Sequence, residues 1–426
     1  MKVYLGSVGC RLNQSEIETI AKDFMRAGHE VVPSPGIADL TIINTCSVTN
    51  KAASDSRQMA RRAVREGSAS VLLTGCWATL EPEEASTLPN VDLVIPNDRK
   101  ETLVQDNFNH PMIDADPISR ELLTELLGRT RAFVKVQDGC DSKCTFCLTT
   151  IARGKARSHP TARVIKDVEE AIDGGAQEIV LTGVQLGSWG ADFTEPRHIS
   201  DLISTLLKET DIPRLRLSSI EPWSINKEFF SLWENPRVCR HLHLPLQSGS
   251  QAILRRMARK TKLDEYAELI ATAKRTIPGI AITTDVIVGF PGEDENAFTE
   301  SAEFIKAMEF AHGHVFTFSS RPGTTAATYE NQIHPKKMKA YSAEMRGILQ
   351  TSAEMFKNSF VGQSLSVLWE SEIRSSNGHR QYKGFTDNYI LVRGEGPASL
   401  WNTITETRLT HTRDGFMRGE TKEFQA

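Results

Sequence analysis

No apolar run in this 426-residue chain is long enough to cross a bilayer, which excludes a helical membrane protein and leaves no membrane partner to expect. Charge of neither sign dominates. The 50 Lys and Arg against 54 Asp and Glu give a net charge of −4 and a pI near 6.3, so bulk electrostatics do not announce a nucleic-acid binder. Cysteine is scarce, seven in all, an odd number with three inside eight residues. That pattern argues against a disulfide framework and for metal ligation in a reducing compartment. The opening Val3-Tyr4-Leu5 reads as a strand rather than a secretion signal, so a cytoplasmic location is expected. The length allows two or three domains with cores of their own.

Those three crowded cysteines are Cys140, Cys144 and Cys147, spaced C-x3-C-x2-C in Gly139-Cys140-Asp141-Ser142-Lys143-Cys144-Thr145-Phe146-Cys147. Three thiolates this close hold three irons of a [4Fe–4S] cubane. With no fourth cysteine nearby, one iron is left for a non-protein ligand, and an open iron is a reaction site. The competing reading is a zinc knot. Zinc usually takes four side-chain ligands, and no second cysteine pair or histidine pair follows.

The first hundred residues alternate short apolar runs (Val3–Val8, Leu40–Asn44, Val71–Thr74) with helix patterns (Glu16–Ala27, Ala52–Glu66), the sign of a parallel α/β domain. Cys10, Cys46 and Cys76 each follow one of those runs, at intervals of a βα repeat. Equivalent positions in such repeats share the carboxyl edge of the sheet, so the three thiols are expected to converge on a second cluster, with Gly9 and Gly75 giving backbone room. Taken singly, each reads as a small core residue, and it is their shared place in three repeats that points to a cluster. Cys239 fits neither triplet and reads as structural. Two basic stretches stand out: Arg57, Arg61 and Arg65 on one helix face, and Arg255, Arg256, Arg259, Lys260 and Lys262. Both suit phosphates, and both read equally as solvated faces.

Residues 101–125 lose periodicity and carry Pro111 and Pro117, as an interdomain linker would. From Arg131 to Ser320 six βα units follow, with strands at Ala132–Gln137, Glu178–Thr182, Arg214–Ser219, His241–Leu246, Thr283–Gly289 and Val315–Ser319. They predict a partial (β/α)6 barrel, with the Cys140 triplet just beyond its first strand. A polar helix is expected from Lys336 to Phe360. Short strands at Ser364–Trp369, Tyr389–Arg393 and Trp401–Leu409, with turn signals Asn377-Gly378, Asp387-Asn388 and Asp414-Gly415, then predict a small β-barrel. The domains are read as 1–100, 126–355 and 356–426.

With these motifs in place, the chain resembles the radical S-adenosylmethionine (SAM) enzymes and, more narrowly, the methylthiotransferase family along nearly its whole length. The resemblance rests on Gly9-Cys10-Arg11-Leu12-Asn13-Gln14-Ser15-Glu16, Asn44-Thr45-Cys46, Asp138 through Cys147, Ala152-Arg153-Gly154 and Arg157-Ser158. Farther on, Leu181-Thr182-Gly183-Val184, Ser218-Ser219-Ile220-Glu221-Pro222, His243 through Ser250 and Gly289-Phe290-Pro291-Gly292-Glu293 add to it. It implies an amino-terminal methylthiotransferase domain, a radical-SAM barrel and a TRAM-like RNA-binding barrel.

It also implies that Cys140, Cys144 and Cys147 hold the [4Fe–4S] cluster that binds and cleaves SAM to a 5′-deoxyadenosyl radical, with Phe146 packing on the adenine. Cys10, Cys46 and Cys76 would hold an auxiliary [4Fe–4S] cluster that handles the sulfur; one SAM methylates it and a second supplies the radical. Further SAM contacts are expected at Gly183, Val184, Gln247 and Gly289, with Glu221 and Arg157 as polar candidates or structural ion pairs. An electron donor such as flavodoxin or ferredoxin and a sulfur source are implied partners.

The family divides by substrate. The Gly-Cys-Arg-Leu-Asn-Gln-Ser-Glu run looks most like the branch that converts N6-threonylcarbamoyladenosine (t6A) at position 37, beside the tRNA anticodon, to ms2t6A. The isopentenyladenosine and ribosomal-aspartate branches are the alternatives, and a non-catalytic iron–sulfur tRNA-binding protein is the reading from another class. Leu148-Thr149-Thr150-Ile151 departs from the Ile-Ile-Pro-aromatic run of many relatives, at a segment expected to line the substrate mouth. Arg153, Arg157 and Arg321 are candidates to meet the threonylcarbamoyl carboxylate. The Arg57, Arg61 and Arg65 row and the barrel tail are candidates to bind the anticodon stem-loop.

Overall fold

The computed structural model describes residues 1–108, 117–376 and 379–421. Of the features expected from sequence, Pro111 and the Asn377-Gly378 turn lie outside the described residues. The chain divides into two compact units: Met1–Ser142 with Cys147–Ala176 and Val180–Arg197, and Lys143–Phe146 with Gln177–Ile179 and His198–Ala426.

The first unit opens with β1 (Lys2–Ser7), α1 (Arg11–Arg26), β2 (Glu30–Val31), β3 (Leu40–Thr45), α2 (Asn50–Arg65), β4 (Ser70–Gly75), α3 (Cys76–Leu80), α4 (Pro82–Ser86) and β5 (Val91–Ile95). The strands form one parallel sheet in the order β2-β1-β3-β4-β5. Every residue of β3 is buried, as expected of a central parallel strand covered on both faces. Helix α1 presents Ile17, Ile20, Ala21 and Phe24 at helical spacing to one face, where they pack with Val3, Leu5 and Ile42. On the other face, α2 offers the small residues Ala53, Ala60 and Ala63 to Ile43, Val71 and Leu73. Thr49 caps α2 by accepting the Ala52 N–H at 3.1 Å.

The segment expected to lose periodicity carries two short helices, α5 (Leu103–Phe108) and α6 (Arg120–Leu127). Leu103 and Val104 join the core beneath α1, and Gly128 ends α6 in the left-handed conformation. Helices of six and eight residues are too short for a periodicity to register.

Next come β6 (Ala132–Lys135), β7 (Gln137–Asp138), α7 (Thr149–Arg153), β8 (Arg157–Ser158), α8 (Thr161–Asp173), β9 (Ile179–Thr182), α9 (Ile199–Glu209), β10 (Leu215–Leu217), β11 (His241–His243), α10 (Gln251–Arg256), α11 (Leu263–Thr276), β12 (Ala281–Val288), α12 (Glu295–Met308) and β13 (His312–Thr317). They make parallel sheets β10-β9-β6 and β11-β12-β13, with bridges Leu215 to Val238 and Ser219 to His243 continuing the succession. All six strands expected of the central βα units are present. The third and fourth are three residues each, shorter than the runs expected.

Helix α13 (Pro335–Asn358) leads to β14 (Ser364–Ser376), β15 (His379–Thr386), β16 (Leu391–Gly396), β17 (Ile404–Arg413) and β18 (Phe416–Thr421), closed into a five-stranded barrel β14-β15-β16-β18-β17 around Val367, Trp369, Tyr382, Val392 and Met417. Asp414 (φ 47°) and Gly415 (φ 83°) make the β17–β18 turn with both central residues left-handed.

Buried charge ties this barrel to β9 and β10. Arg216, fully buried, donates to Glu178 Oε1 at 2.6 Å and Oε2 at 3.0 Å, and to the carbonyls of Thr386 (3.1 Å) and Asp387 (2.9 Å). Arg214 donates to Ser366 Oγ at 2.7 Å, and Arg240 pairs with Asp387 at 2.6 Å. Cys239, 2% exposed, lies 3.9 Å from Glu178 Oε2, in keeping with the structural role expected of it. Burial pushes its thiol up to about 12 despite the nearby Arg216. Removing one partner of a buried pair strands the other charge, so Arg216→Met is expected to cost about 3–5 kcal/mol. Adding Glu178→Met should recover much of that loss. Denaturant midpoints of the two variants check both statements.

Candidate functional site

The strands β1, β3 and β4 are neighbours, and all three amino-terminal cysteines lie at their carboxyl ends. Cys10 is the N-cap of α1, Cys46 follows β3 and Cys76 is the first residue of α3. Gly9 (φ 99°) and Gly75 (φ 95°) take backbone angles that disfavour side chains. A Cβ on Gly9 would collide with the Cys46 sulfur, and one on Gly75 with the Thr45 backbone. The Ser56 hydroxyl accepts the Cys46 N–H at 3.0 Å.

Two asparagines brace this edge. Asn13 Nδ2 donates to the carbonyls of Val8 (2.8 Å) and Thr45 (2.9 Å), and its Oδ1 lies 3.8 Å from Cys10 Sγ. Asn97 Nδ2 donates to the Ala152 carbonyl at 2.8 Å and lies 3.8 Å from Cys76 Sγ. Behind them sits a buried charge network. Arg153 donates to Glu16 Oε1 (2.8 Å) and Oε2 (3.1 Å), Asp138 Oδ1 (2.9 Å) and Asn13 Oδ1 (2.8 Å). Lys100 donates to Glu16 (2.7 Å) and Asn44 Oδ1 (3.0 Å).

Burial alone would raise the Glu16 carboxyl, but Arg153, Lys100 and Lys135 outweigh it and hold it well below the usual range. Burial pushes Cys46 up to about 12, with Arg153 pulling the other way. Cys10 is open to solvent on one side, yet the protein mass around its thiol raises it too, again against Arg153.

In the Cys140 loop, Gly139 (φ 69°) permits a close approach to Lys155, and the Cys140 N–H donates to the Gly154 carbonyl at 3.1 Å. Cys140 Sγ accepts the Ser142 N–H and Cys147 Sγ the Thr149 N–H, both at 3.3 Å. Cys140 Sγ also donates to Gln185 Oε1 at 3.1 Å, and Cys147 Sγ to Thr149 Oγ1 at 3.0 Å. Cys144 Sγ lies 3.8 Å from Arg259 Nη1. Half-buried Phe146 meets Phe290 edge-on, ring centroids 6.2 Å apart. Gln137 was not foreseen. Its amide donates to the Gly139 carbonyl (2.8 Å) and accepts the Gln185 N–H (2.9 Å), and the missing side chain of Gly183 is what lets it fit. Val184 is half-buried beside it.

Gln247 takes φ 77° where it bridges to Val286, a strained angle for a residue with a side chain and a common mark of functional positions. Gly289 (φ 76°) lies under Met338, which a Cβ there would strike, and donates its N–H to Glu293. Glu293 is fully buried and its Oε1 has no partner; burial pushes it up to about 7.

Several charges expected at the site are committed elsewhere. Arg153, expected to be available to a substrate carboxylate, is spent on Glu16 and Asp138. Glu221 grips Arg259 at 2.5 and 3.1 Å, the structural ion pair of the two readings. Arg259 thereby leaves the second basic stretch, where Arg256 also turns inward to the Pro291 carbonyl at 2.9 Å. In the first row, Arg57 lies 3.6 Å from Glu84 and over Trp77, whereas Arg61 and Arg65 are exposed. Arg157 is exposed and Arg321 half-buried. Signals for Gln137, Arg259 and Asn97 were absent from the sequence, because each acts on a partner far along the chain.

Among the described residues, no three His, Cys, Asp or Glu side chains are close enough to share one metal ion. A cubane needs no such closeness, since each thiolate takes its own iron. Donated N–H groups at Cys140 and Cys147 and the cations near Cys144 and Cys10 suit anionic sulfur.

Residues 134–305 match the Radical SAM superfamily and residues 2–96 the Uncharacterized protein family UPF0004. Over 82% of this chain and 84% of that one, the fold is similar to the radical SAM methyltransferase TsrM of Kitasatospora setae, at TM-score 0.55 and 13% identity. The threonylcarbamoyladenosine tRNA methylthiotransferase MtaB of Bacillus subtilis is 34% identical across 95% of this chain and 92% of its own. The tRNA-2-methylthio-N(6)-dimethylallyladenosine synthase of Fusobacterium nucleatum is 30% identical across 92% and 94%. The chain belongs to the methylthiotransferase family of radical-SAM enzymes. SAM and a [4Fe–4S] cluster are the cofactors of that class. No helix among the described residues is long and apolar enough to cross a membrane.

Glu293 yields a pH test. Its raised pKa means the folded chain holds a proton that the unfolded chain has lost. Stability is therefore greatest below the ordinary carboxylate range and falls as pH rises through about 7. The loss should total about 3 kcal/mol. Unfolding of the apo chain measured across that window is expected to slope downward with pH, and Glu293→Gln to flatten the slope.

Proposed function

We propose that this enzyme adds a methylthio group to C2 of N6-threonylcarbamoyladenosine beside the tRNA anticodon, using two [4Fe–4S] clusters and two SAM molecules. The observation that carries the reading is likeness to the B. subtilis MtaB along 95% of the chain, at 34% identity against 30% for the dimethylallyladenosine synthase. The Gly9 to Glu16 run favours the same branch.

We assign residues 1–100 to the auxiliary cluster, 126–355 to SAM cleavage and 356–426 to RNA. When bound, the cluster at Cys140, Cys144 and Cys147 supplies one electron that splits SAM into methionine and a 5′-deoxyadenosyl radical able to take the C2 hydrogen. Every other task falls to the chain. Gln137 braces the loop that presents Cys140, and Arg259 sets a fixed cation beside Cys144. Phe146 and Phe290 form an apolar wall that keeps water from a reactive carbon. Gly183, Val184, Gln247 and Gly289 are proposed to meet SAM through backbone and side-chain polar groups. Cys10, Cys46 and Cys76 would hold the second cluster, which would bind the sulfur to be transferred. A flavodoxin- or ferredoxin-type donor provides electrons, and a separate source renews the sulfur.

The deciding experiment is mass spectrometry of nucleosides after anaerobic incubation with SAM, reductant, sulfide and tRNA bearing either t6A or isopentenyladenosine. A gain of one methylthio group on t6A alone is expected. Gain on isopentenyladenosine alone would reassign the branch, and absence of 5′-deoxyadenosine would remove the radical reading. For RNA binding, Arg61→Ala with Arg65→Ala should weaken tRNA affinity and lower its salt slope by about 2, leaving SAM cleavage intact. An unchanged titration would take the row out of the interface.

A further inference from the structure

Arg153 ends α7, six residues beyond Cys147, yet its side chain serves the other triplet. It is 2% exposed, and its two terminal nitrogens make four hydrogen bonds at 2.8–3.1 Å, to Glu16, Asp138 and Asn13. Asn13 is the link that matters most. Its Oδ1 accepts a hydrogen bond from Arg153 Nη2 at 2.8 Å and lies 3.8 Å from Cys10 Sγ, while its Nδ2 pins the chain just before Gly9 and just before Cys46. One guanidinium thus orients the side chain that spaces two of the three thiols.

The backbone beside it reaches a further thiol: Asn97 Nδ2 donates to the carbonyl of Ala152, the residue before Arg153, at 2.8 Å and lies 3.8 Å from Cys76 Sγ. Three cations, Arg153, Lys100 and Lys135, balance the three carboxylates Glu16, Asp138 and Glu101, so removing the Arg153 charge leaves the group beside the thiols one positive charge short.

We propose that Arg153 is a positioning residue for the iron–sulfur group at Cys10, Cys46 and Cys76, fixing the Asn13 brace and stabilising the more negative, reduced form of that group by its charge. The proposal rests on the reading that these thiols hold a second cluster. It concerns a residue of the radical-SAM segment acting on the amino-terminal triplet. A buried cation beside a cluster raises its reduction potential, since reduction adds negative charge.

The test uses the full-length chain with Cys140, Cys144 and Cys147 replaced by Ala, reconstituted anaerobically so that only the amino-terminal triplet can bind iron. If this parent takes up no iron, the two-cluster reading fails and the proposal falls with it. If it takes up a cluster, Arg153→Gln and Arg153→Lys are compared by EPR-monitored redox titration. Arg153→Gln is expected to move the reduction equilibrium about tenfold toward the oxidised form, about 59 mV lower for one electron. Arg153→Lys keeps the charge without the fork, so its potential should stay near the parent's while a chelator removes its iron faster. An unchanged potential in Arg153→Gln, or an equal shift in both variants, overturns the charge role. Should Arg153→Gln take up no iron, the Lys variant decides: iron bound at the parent's potential supports the proposal, and absent iron overturns it.

Discussion

A guanidinium taken out of water costs several kcal/mol unless its donors are met, and much of the first unit is arranged to meet those of Arg153. Its partners come from two places that are distant in sequence, the first turns of the helix after Cys10 and the strand just before Cys140, while Arg153 itself ends the short helix after Cys147. Satisfying one side chain therefore fixes the loops that carry two separate cysteine groups. The cost of losing a partner is what makes the arrangement stiff. With Glu16 or Asp138 displaced, a charge would be left buried, a worse state than any small shift of the loops. Stiffness of this kind suits thiolates that must each meet a different iron of one rigid body.

The placing of Cys10, Cys46 and Cys76 along one sheet edge was legible because it follows from periodicity alone. Three βα repeats, each with cysteine just past the strand, must place those cysteines on one sheet edge, and the parallel order puts their strands side by side. The six-unit central alternation and the left-handed Asp414-Gly415 turn were legible for the same reason, being local patterns. What hid was pairing over distance. Nothing near Arg153 in the chain says that Glu16, 137 positions earlier, is its partner, so it read as a free cation for a substrate. Arg259 looked like part of a basic run, yet its partner Glu221 lies 38 positions away. The docking of the tail barrel by Arg214 and Arg216 was invisible for the same cause.

Strain separates some candidate positions from mere turns. A glycine after a strand is ordinary, but a glutamine at φ 77° in a bridged position is not, and Gln247 keeps that angle between hydrogen bonds to Asp285 and Ile287. The cost, about 1–3 kcal/mol, is carried where the strand ends and a ligand would sit. Gly289 argues differently: Met338 and Glu293 already fill its surroundings, so any role for it runs through the backbone rather than through open space.

The same reasoning bears on how a substrate carboxylate would be recognised. A t6A-specific pocket needs a cation or firm donors, and three arginines offered themselves. Drawing Arg153 toward a ligand would leave Glu16 and Asp138 facing each other with one fewer cation, in a place that water does not reach. An exposed ion pair with the ligand returns about 1 kcal/mol or less, far below that cost. Arg259 is excluded by the same comparison, held as it is by both oxygens of Glu221. Arg157 carries no such commitment and is exposed on β8. Arg157 could therefore turn to an anionic substituent without uncovering a buried charge.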